Sequence, residues 1–159
     1  MHSGSDGIVH GCWQPLPGST GTKIWPFVRK VDIVSSNSYL VAHGDLVIVI
    51  DPGGLFEQAE ELRTVIETLA GSNAQPALVL LTHAHIDHCR ALMDHPFFSS
   101  PDHAIPAVHE EGARALATAD ERLTQAALLG LRITPVRAAL RLFADQANER
   151  CGDATVPCG

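Results

Sequence analysis

The densest run of reactive side chains in the sequence is Thr82-His83-Ala84-His85-Ile86-Asp87-His88. Imidazole and carboxylate are donors that a borderline divalent cation such as Zn²⁺ accepts, at about 2.0–2.2 Å. In an extended segment alternate side chains point the same way, so His83, His85 and Asp87 are expected to project to one side. His88 follows as the chain begins to turn. Four donors on so tight a loop cannot easily converge on one ion. Two neighbouring ions sharing the loop relieve that constraint, and paired metals a few Å apart are a hydrolytic arrangement. A His-rich surface loop that binds nothing is the competing reading. Against it stands the position of the cluster, directly after Leu78-Val79-Leu80-Leu81 and with Ile86 anchoring it.

The flanking sequence supplies the elements that must hold this loop. Leu46 to Ile50 is an apolar run of strand length, read as buried on both faces, and Asp51-Pro52-Gly53-Gly54 stops it. Tyr39 to Ala42 forms a short strand, and His43-Gly44-Asp45 is a turn that joins the two as a hairpin. Ile24 to Val34 contains a strand interrupted by Pro26. A helix follows Gly54 with Leu55, Ala59, Leu62, Ile66 and Leu69 along one face, ended by Gly71. Ala77 to Leu81 is then a second buried strand. Strand, helix, strand in this order predicts a βαβ-type crossover, with the loop at the C-terminal end of the second strand. Layered α/β folds place chemistry there.

Further along, Ala104 to Val108 reads as a strand and Leu140 to Phe143 as the start of another. Glu110 to Ala119 and Glu121 to Leu129 read as helices, with Ala113, Leu116 and Leu123 toward a core. Residues 1–22, rich in Gly, Ser and Pro, are expected to be a flexible arm. Residues 23–145 form one α/β domain, and 146–159 a polar tail.

Composition narrows the function classes. A net charge of −7, with Lys23 and Lys30 the sole lysines and the arginines scattered, leaves no basic stripe for phosphates. Nucleic acid is therefore not an expected partner. No run approaches the roughly 20 apolar residues of a membrane span, and no basic start precedes an apolar stretch. The chain is read as cytoplasmic, with Cys12, Cys89, Cys151 and Cys158 as free thiols.

The H-x-H-x-D-H signature at His83, His85, Asp87 and His88 resembles that of the metallo-β-lactamase superfamily. Ser36-Asn37-Ser38-Tyr39-Leu40-Val41 is similar to the family's first core strand, and Val49-Ile50-Asp51-Pro52-Gly53 to its strand-ending D-x-G. The resemblance runs from about Ile24 to about Phe143 and implies a four-layer αββα sandwich built from two similar halves. It implies two zinc ions in the full site, His83 and His85 on one, Asp87 and His88 on the other. Asp51 would lie beside the loop and orient a ligand. It also implies hydrolysis by hydroxide formed from a metal-acidified water, with Asp87 handling a proton in some members. The same N/O donors suit iron or manganese.

The family pattern calls for more ligands than the loop supplies: a third His in a G-H-T-x-G-like segment, a bridging Asp and a distant His. No G-H-T-x-G string occurs, and no histidine follows Leu140. The chain is thus expected to be the first half of the sandwich, truncated. His109 reads as structural at a strand-to-helix junction, His95 as a helix-end residue before Pro96, and His43 as a turn residue. His2 and His10 belong to the arm. His103 and Cys89 are weak substitutes for the absent ligands. The expected function is a zinc-dependent hydrolase of a small ester, thioester or lactone, in an incomplete or weakly active form. A nuclease of the same superfamily is one alternative. The other is a non-catalytic fragment that self-associates as a homodimer, because removing half of a sandwich uncovers an apolar sheet face.

Overall fold

The computed structural model describes residues 9–28, 34–70 and 75–143. Seven strands form one sheet in sequence order: β1 (Gln14–Pro15), β2 (Thr22–Phe27), β3 (Ser38–His43), β4 (Leu46–Ile50), β5 (Ala77–Leu80), β6 (Ala104–His109) and β7 (Leu140–Leu142). The first three pairings are antiparallel and the last three parallel. The change falls between β4 and β5, where α1 (Phe56–Ala70) makes the expected crossover. Shorter helices follow β5 as α2 (Ile86–Cys89) and α3 (Ala91–Asp94), and α4 (Glu110–Ala117) follows β6.

The hairpin forms because Gly44, at φ +55°, takes a left-handed turn conformation that leaves His43 opposite Leu46. Strand β2 runs through Pro26 instead of breaking there. The Pro26 carbonyl accepts from Gly11 N (2.8 Å), so its missing N–H also faces that sparsely paired side and costs the β2–β3 ladder nothing. Gln14 and Pro15, expected in an arm, pair with β2 as β1.

Pleating sorts the strands onto two faces. On one, Trp25, Leu40, Val49 and Val79 are register partners and all are buried. They share a single apolar cluster with Ala59, Leu62 and Ile66 of α1, Cys89 of α2, Ala91 and Leu92 of α3, and Ala113 and Leu116 of α4. Burying a side chain the size of Leu62 is worth about 1.5–3 kcal/mol, so α1 is held mainly by this stripe. The stripe is narrower than its spacing suggested, since Leu69 is exposed. The helix stop expected at Gly71 lies outside the described residues.

Two further expectations are corrected. Strand β4 is not buried on both faces: Val49 is buried, whereas Leu46 is 49% exposed and Ile48 and Ile50 are only partly covered. Glu121 to Leu129 is not an α-helix. Gln125 takes φ +61°, Ala126–Leu129 is a 3₁₀ turn, and Leu123 points outward, 54% exposed, instead of entering the core.

Candidate metal centre

Three backbone hydrogen bonds seat the His-rich loop on its neighbours. Gly53 N donates to the His88 carbonyl (3.1 Å), Ser36 N to the Asp87 carbonyl (3.0 Å), and Ile86 N to the Thr124 carbonyl (2.8 Å). The loop bends at Thr82 and His83 and enters α2 at Ile86. Asp87 and His88 are therefore helical, and the simple alternation expected to align His83, His85 and Asp87 does not hold. A helix places residues about 100° apart around its axis, so the turn carries Asp87 away from the strand's pleat.

That bend gathers the three imidazoles. The His83 ring lies 3.9 Å from that of His88 and 4.4 Å from that of His85, centre to centre. The Asp87 carboxylate sits 3.2 Å from His88 Nε2. Asp51, buried at the end of β4 with φ +50°, reaches the same group. Its Oδ1 accepts from Thr82 N (2.9 Å), and its Oδ2 accepts from Thr82 Oγ1 (2.7 Å) and faces His88 Nδ1 at 2.9 Å. Thr82 Oγ1 also lies 3.0 Å from His83 Nδ1, so one hydroxyl links Asp51 to a second imidazole.

Charge follows this geometry. Burial works against a proton on His88, but the Asp51 hydrogen bond and the Asp51 and Asp87 charges outweigh it and raise its pKa. His83 moves the opposite way, lowered by burial and by the neighbouring His88 and His85, with Asp51 and Asp87 only partly compensating. Behind the loop, burial and the Asp87 and Asp51 charges push the Cys89 thiol up to about 12. Its Sγ rests against the Ala84 carbonyl at 3.6 Å, which makes Cys89 a packing residue with a weak hydrogen bond.

In kind, imidazoles backed by a carboxylate fit a divalent ion, and an Nδ1–carboxylate contact is how such ligands are held in one tautomer. In number they fall short. Among the described residues no group of three or more His, Cys, Asp or Glu side chains is arranged to hold a metal ion. The other described histidines do not make up the difference. His109 caps α4, with its Nδ1 accepting from Glu111 N (3.4 Å). His95 is buried against Glu60 (3.1 Å), His43 bonds Thr22, His103 stacks on Phe97, and His10 packs on Phe27 and accepts from Val28 N. His2, Cys151 and Cys158 lie outside the described residues.

A polar knot beneath the loop escaped the sequence reading. Gln58 is fully buried; its Oε1 accepts from Ser35 Oγ, and its Nε2 donates to the Ser36 carbonyl (3.0 Å) and Ser38 Oγ (2.6 Å). Ser38 Oγ in turn donates to the Asp51 carbonyl. Gln58 thus ties the residues before β3 to the strand end that carries Asp51. The signal was present: positions 58, 62 and 66 form one helical stripe, and Gln58 is its one polar member. Gly54 completes the packing, because a Cβ there would lie 1.9 Å from the Val34 carbonyl oxygen and 3.0 Å from Asp87 Cα.

A cleft of about 310 Å³ opens beside His83 and His85, walled by Glu111, Arg114, Ala115 and Leu123.

Residues 31–144 match the metallo-beta-lactamase superfamily, and the chain belongs to that family. Among solved structures it is similar to a mutant of the FEZ-1 metallo-beta-lactamase from Legionella gormanii, at 17% identity and TM-score 0.53, over 85% of this chain and 49% of that one. A metallo-beta-lactamase with a HARLDQ motif from Cronobacter sakazakii matches at 21% identity and TM-score 0.51, over 77% of this chain and 43% of that one. GOB-18 from Elizabethkingia meningoseptica matches at 23% identity and TM-score 0.51, over 74% and 44%. The chain thus spans somewhat under half the length of these proteins, and at such identities the likeness is one of fold. No curated protein matches the chain. No helix among the described residues is long and apolar enough to cross a membrane.

Proposed function

We propose that this chain carries the metal-ligating part of a zinc-dependent hydrolase for a small ester, thioester or lactone, in an incomplete or weakly active form. The observation that carries this reading is the His83 ring lying 3.9 Å from that of His88 and 4.4 Å from that of His85, with buried Asp51 on His88 Nδ1. In it His83, His85, Asp87 and His88 are the ligands. Asp51 is the positioning residue that fixes the His88 tautomer and, through Thr82, steadies the loop. Asp87 Oδ2, beside His88 Nε2, is the group that takes up or gives back a proton. Zinc, when bound, would acidify a water and polarise a carbonyl oxygen. The 310 Å³ cleft beside His83 and His85 has the size of a small-molecule site, and the net charge of −7 weighs against a nucleic-acid substrate. Family membership supports the reaction class, and the shortfall of converging donors supports weak metal binding.

Elemental analysis of metal per chain tests this, comparing the wild type with His85→Ala after equilibration with limiting zinc. Substoichiometric to stoichiometric zinc, lost in the variant, is the expected result, and iron or manganese in the purified protein would revise the metal. Equal metal in both proteins would remove His85 from the ligand set. A metal-free wild type would end the proposal that these residues hold a site by themselves. A second reading, a non-catalytic chain that associates with itself, is favoured by the lack, among the described residues, of three donor side chains arranged around one ion, and predicts no turnover of any ester at any zinc level.

A further inference from the structure

Oppositely charged residues one helical turn apart normally pair, and elsewhere on this chain they do: Arg63 binds Glu60 and Glu67, and Arg90 binds Asp94 at 2.8 Å. Glu111 and Arg114 have the same spacing on α4 and do not. Neither side chain makes an ion pair or hydrogen bond to any described residue, and both line the cleft beside His83 and His85. Gly112 is what lets this stretch of helix stand so near the loop. A Cβ there would lie 3.2 Å from the Cβ of Ala84, the residue between the two histidines, and 2.8 Å from Val108 Cγ2. The remaining wall is apolar. Leu123 is exposed, yet its backbone is fixed: Asp120 Oδ1 accepts from Arg122 N (3.0 Å) and Leu123 N (2.9 Å), and the fully buried Thr124 that follows accepts from Ile86 N (2.8 Å). One cleft thus joins imidazoles, an apolar wall and two unpaired opposite charges, all from residues 83–123.

We propose that Glu111 and Arg114 form a recognition pair for a zwitterion, and that the substrate is an amino acid with free ammonium and carboxylate groups, acylated through the oxygen or sulfur of its side chain. The inference rests on the reading of the loop as a hydrolytic metal site. A purely anionic ligand in this cleft meets Glu111, and a purely cationic one meets Arg114. A ligand carrying both charges on one carbon satisfies both, because residues one turn apart present their side chains about 5–6 Å from each other. Arg114 can take the carboxylate through two parallel N–H donors, and Glu111 accepts from the ammonium. The acyl carbonyl then falls toward His83 and His85, and the acyl chain against Leu123. Hydrolysis adds one water across the acyl bond. Its oxygen joins the carbonyl carbon, the bond to the side-chain oxygen or sulfur breaks, and that atom leaves with a proton. A cleft of about 310 Å³ is at the small end of ligand sites, which suits a molecule of this size.

Nuclear magnetic resonance titration of the metal-free 159-residue chain with O-acetyl-L-serine tests it, the amide signals of α4 and Leu123 reporting binding. The same compound with its ammonium acetylated, or with its carboxylate amidated, is expected to bind about 3- to 5-fold more weakly, the range of one solvent-exposed ion pair. Glu111→Gln should abolish the penalty for blocking the ammonium and keep that for the carboxylate; Arg114→Gln should do the reverse. Both side chains are exposed, so neither change threatens the fold. Equal binding of all three compounds, no binding at all, or both penalties surviving in both variants overturns the proposal. The metal measurement on His85→Ala is independent of this one. Zinc held by the loop with no preference for the zwitterion sinks the substrate assignment alone, whereas the preference without zinc leaves the subsite standing and removes the hydrolase.

Discussion

The two sides of the His-rich loop are built differently. The inner side, His88 with Asp51 and Thr82, is locked: Asp51 is buried, receives two bonds from Thr82 and faces His88 Nδ1, and the backbone of residues 87 and 88 is pinned by Ser36 and Gly53. The outer side, His83 and His85, borders a cleft, and the Thr82 hydroxyl at His83 Nδ1 ties it to the inner side. Preorganisation in this site is thus one-sided. A ligand that must be held costs buried partners, whereas a ligand left toward the cleft keeps the freedom to adjust to whatever completes the site.

The strongest way to break this contrast is to disturb the packing beneath the inner side. Gly54→Ala places a methyl group against the Val34 carbonyl and the Asp87 backbone, neither of which is a flexible side-chain end. The expected loss is about 4 kcal/mol or more, read as a fall in the urea midpoint, in the class of severe backbone clashes. A loss under about 1 kcal/mol would mean that the loop is not seated as described.

Asp51→Asn acts on orientation more than on fold. Asn tolerates the φ of +50° at this position, so the backbone is kept. Its carbonyl oxygen is needed by Thr82 N, which turns the amide NH₂ toward His88 Nδ1. Nδ1 must then accept, the ring proton moves to Nε2, and Nε2 can no longer donate its lone pair to a metal. Zinc affinity is expected to fall about 10- to 100-fold by competition titration, with a stability loss of about 1–2 kcal/mol. The sign of its pH dependence is fixed by the raised pKa of His88: the stabilisation Asp51 lends to the protonated ring is complete below the ordinary histidine value of 6.5 and lost as pH rises through the raised one. The stability gap between wild type and variant, measured without metal, should narrow across that window. A gap constant from acid to alkaline pH would remove His88 from the argument.

How much of this was legible in the residues follows the same division. His83, His85, Asp87 and His88 could be read as a cluster because donors contiguous in sequence must be close in space, whereas Asp51, locally only the stop of an apolar strand, was placed beside them by the resemblance of Val49-Ile50-Asp51-Pro52-Gly53 to the family's D-x-G. Helix α2 could not, since four residues with no capping side chain leave no periodicity to detect. The apolar spacing of Glu121 to Leu129 misled for a related reason, as nothing local announces a left-handed Gln125. Strand β4 is the instructive case. Leu-Val-Ile-Val-Ile correctly implies two apolar faces, but whether the second is covered depends on a partner surface that no local pattern encodes.

Thr82→Val sharpens the contrast by cutting the link between the sides while keeping the side-chain volume. Thr82 N still bonds Asp51 Oδ1, so the inner side survives with a cost of about 1 kcal/mol, that of one net hydrogen bond. His83 loses its contact with the Thr82 hydroxyl. Proton-detected exchange broadening of the His83 ring signals, with His88 unchanged, is the expected signature; equal broadening of both would show that the two sides move as one.

The mildest test leaves the sequence alone and reads how closed the inner side is. Cys12 is exposed and Cys89 fully buried behind the loop. With its pKa near 12, Cys89 has about one thiolate in ten thousand at pH 8, and thiolate is the species that alkylates. Iodoacetamide followed by peptide mass spectrometry should therefore label Cys12 within minutes and leave Cys89 unmodified until denaturant opens the fold. Stability should not change on labelling Cys12, because its side chain lies outside the core. Labelling of Cys89 at the rate of Cys12 in native buffer would mean that the wall behind Asp87 and His88 opens readily. The inner and outer sides of the loop would then differ in their hydrogen bonds but not in their rigidity.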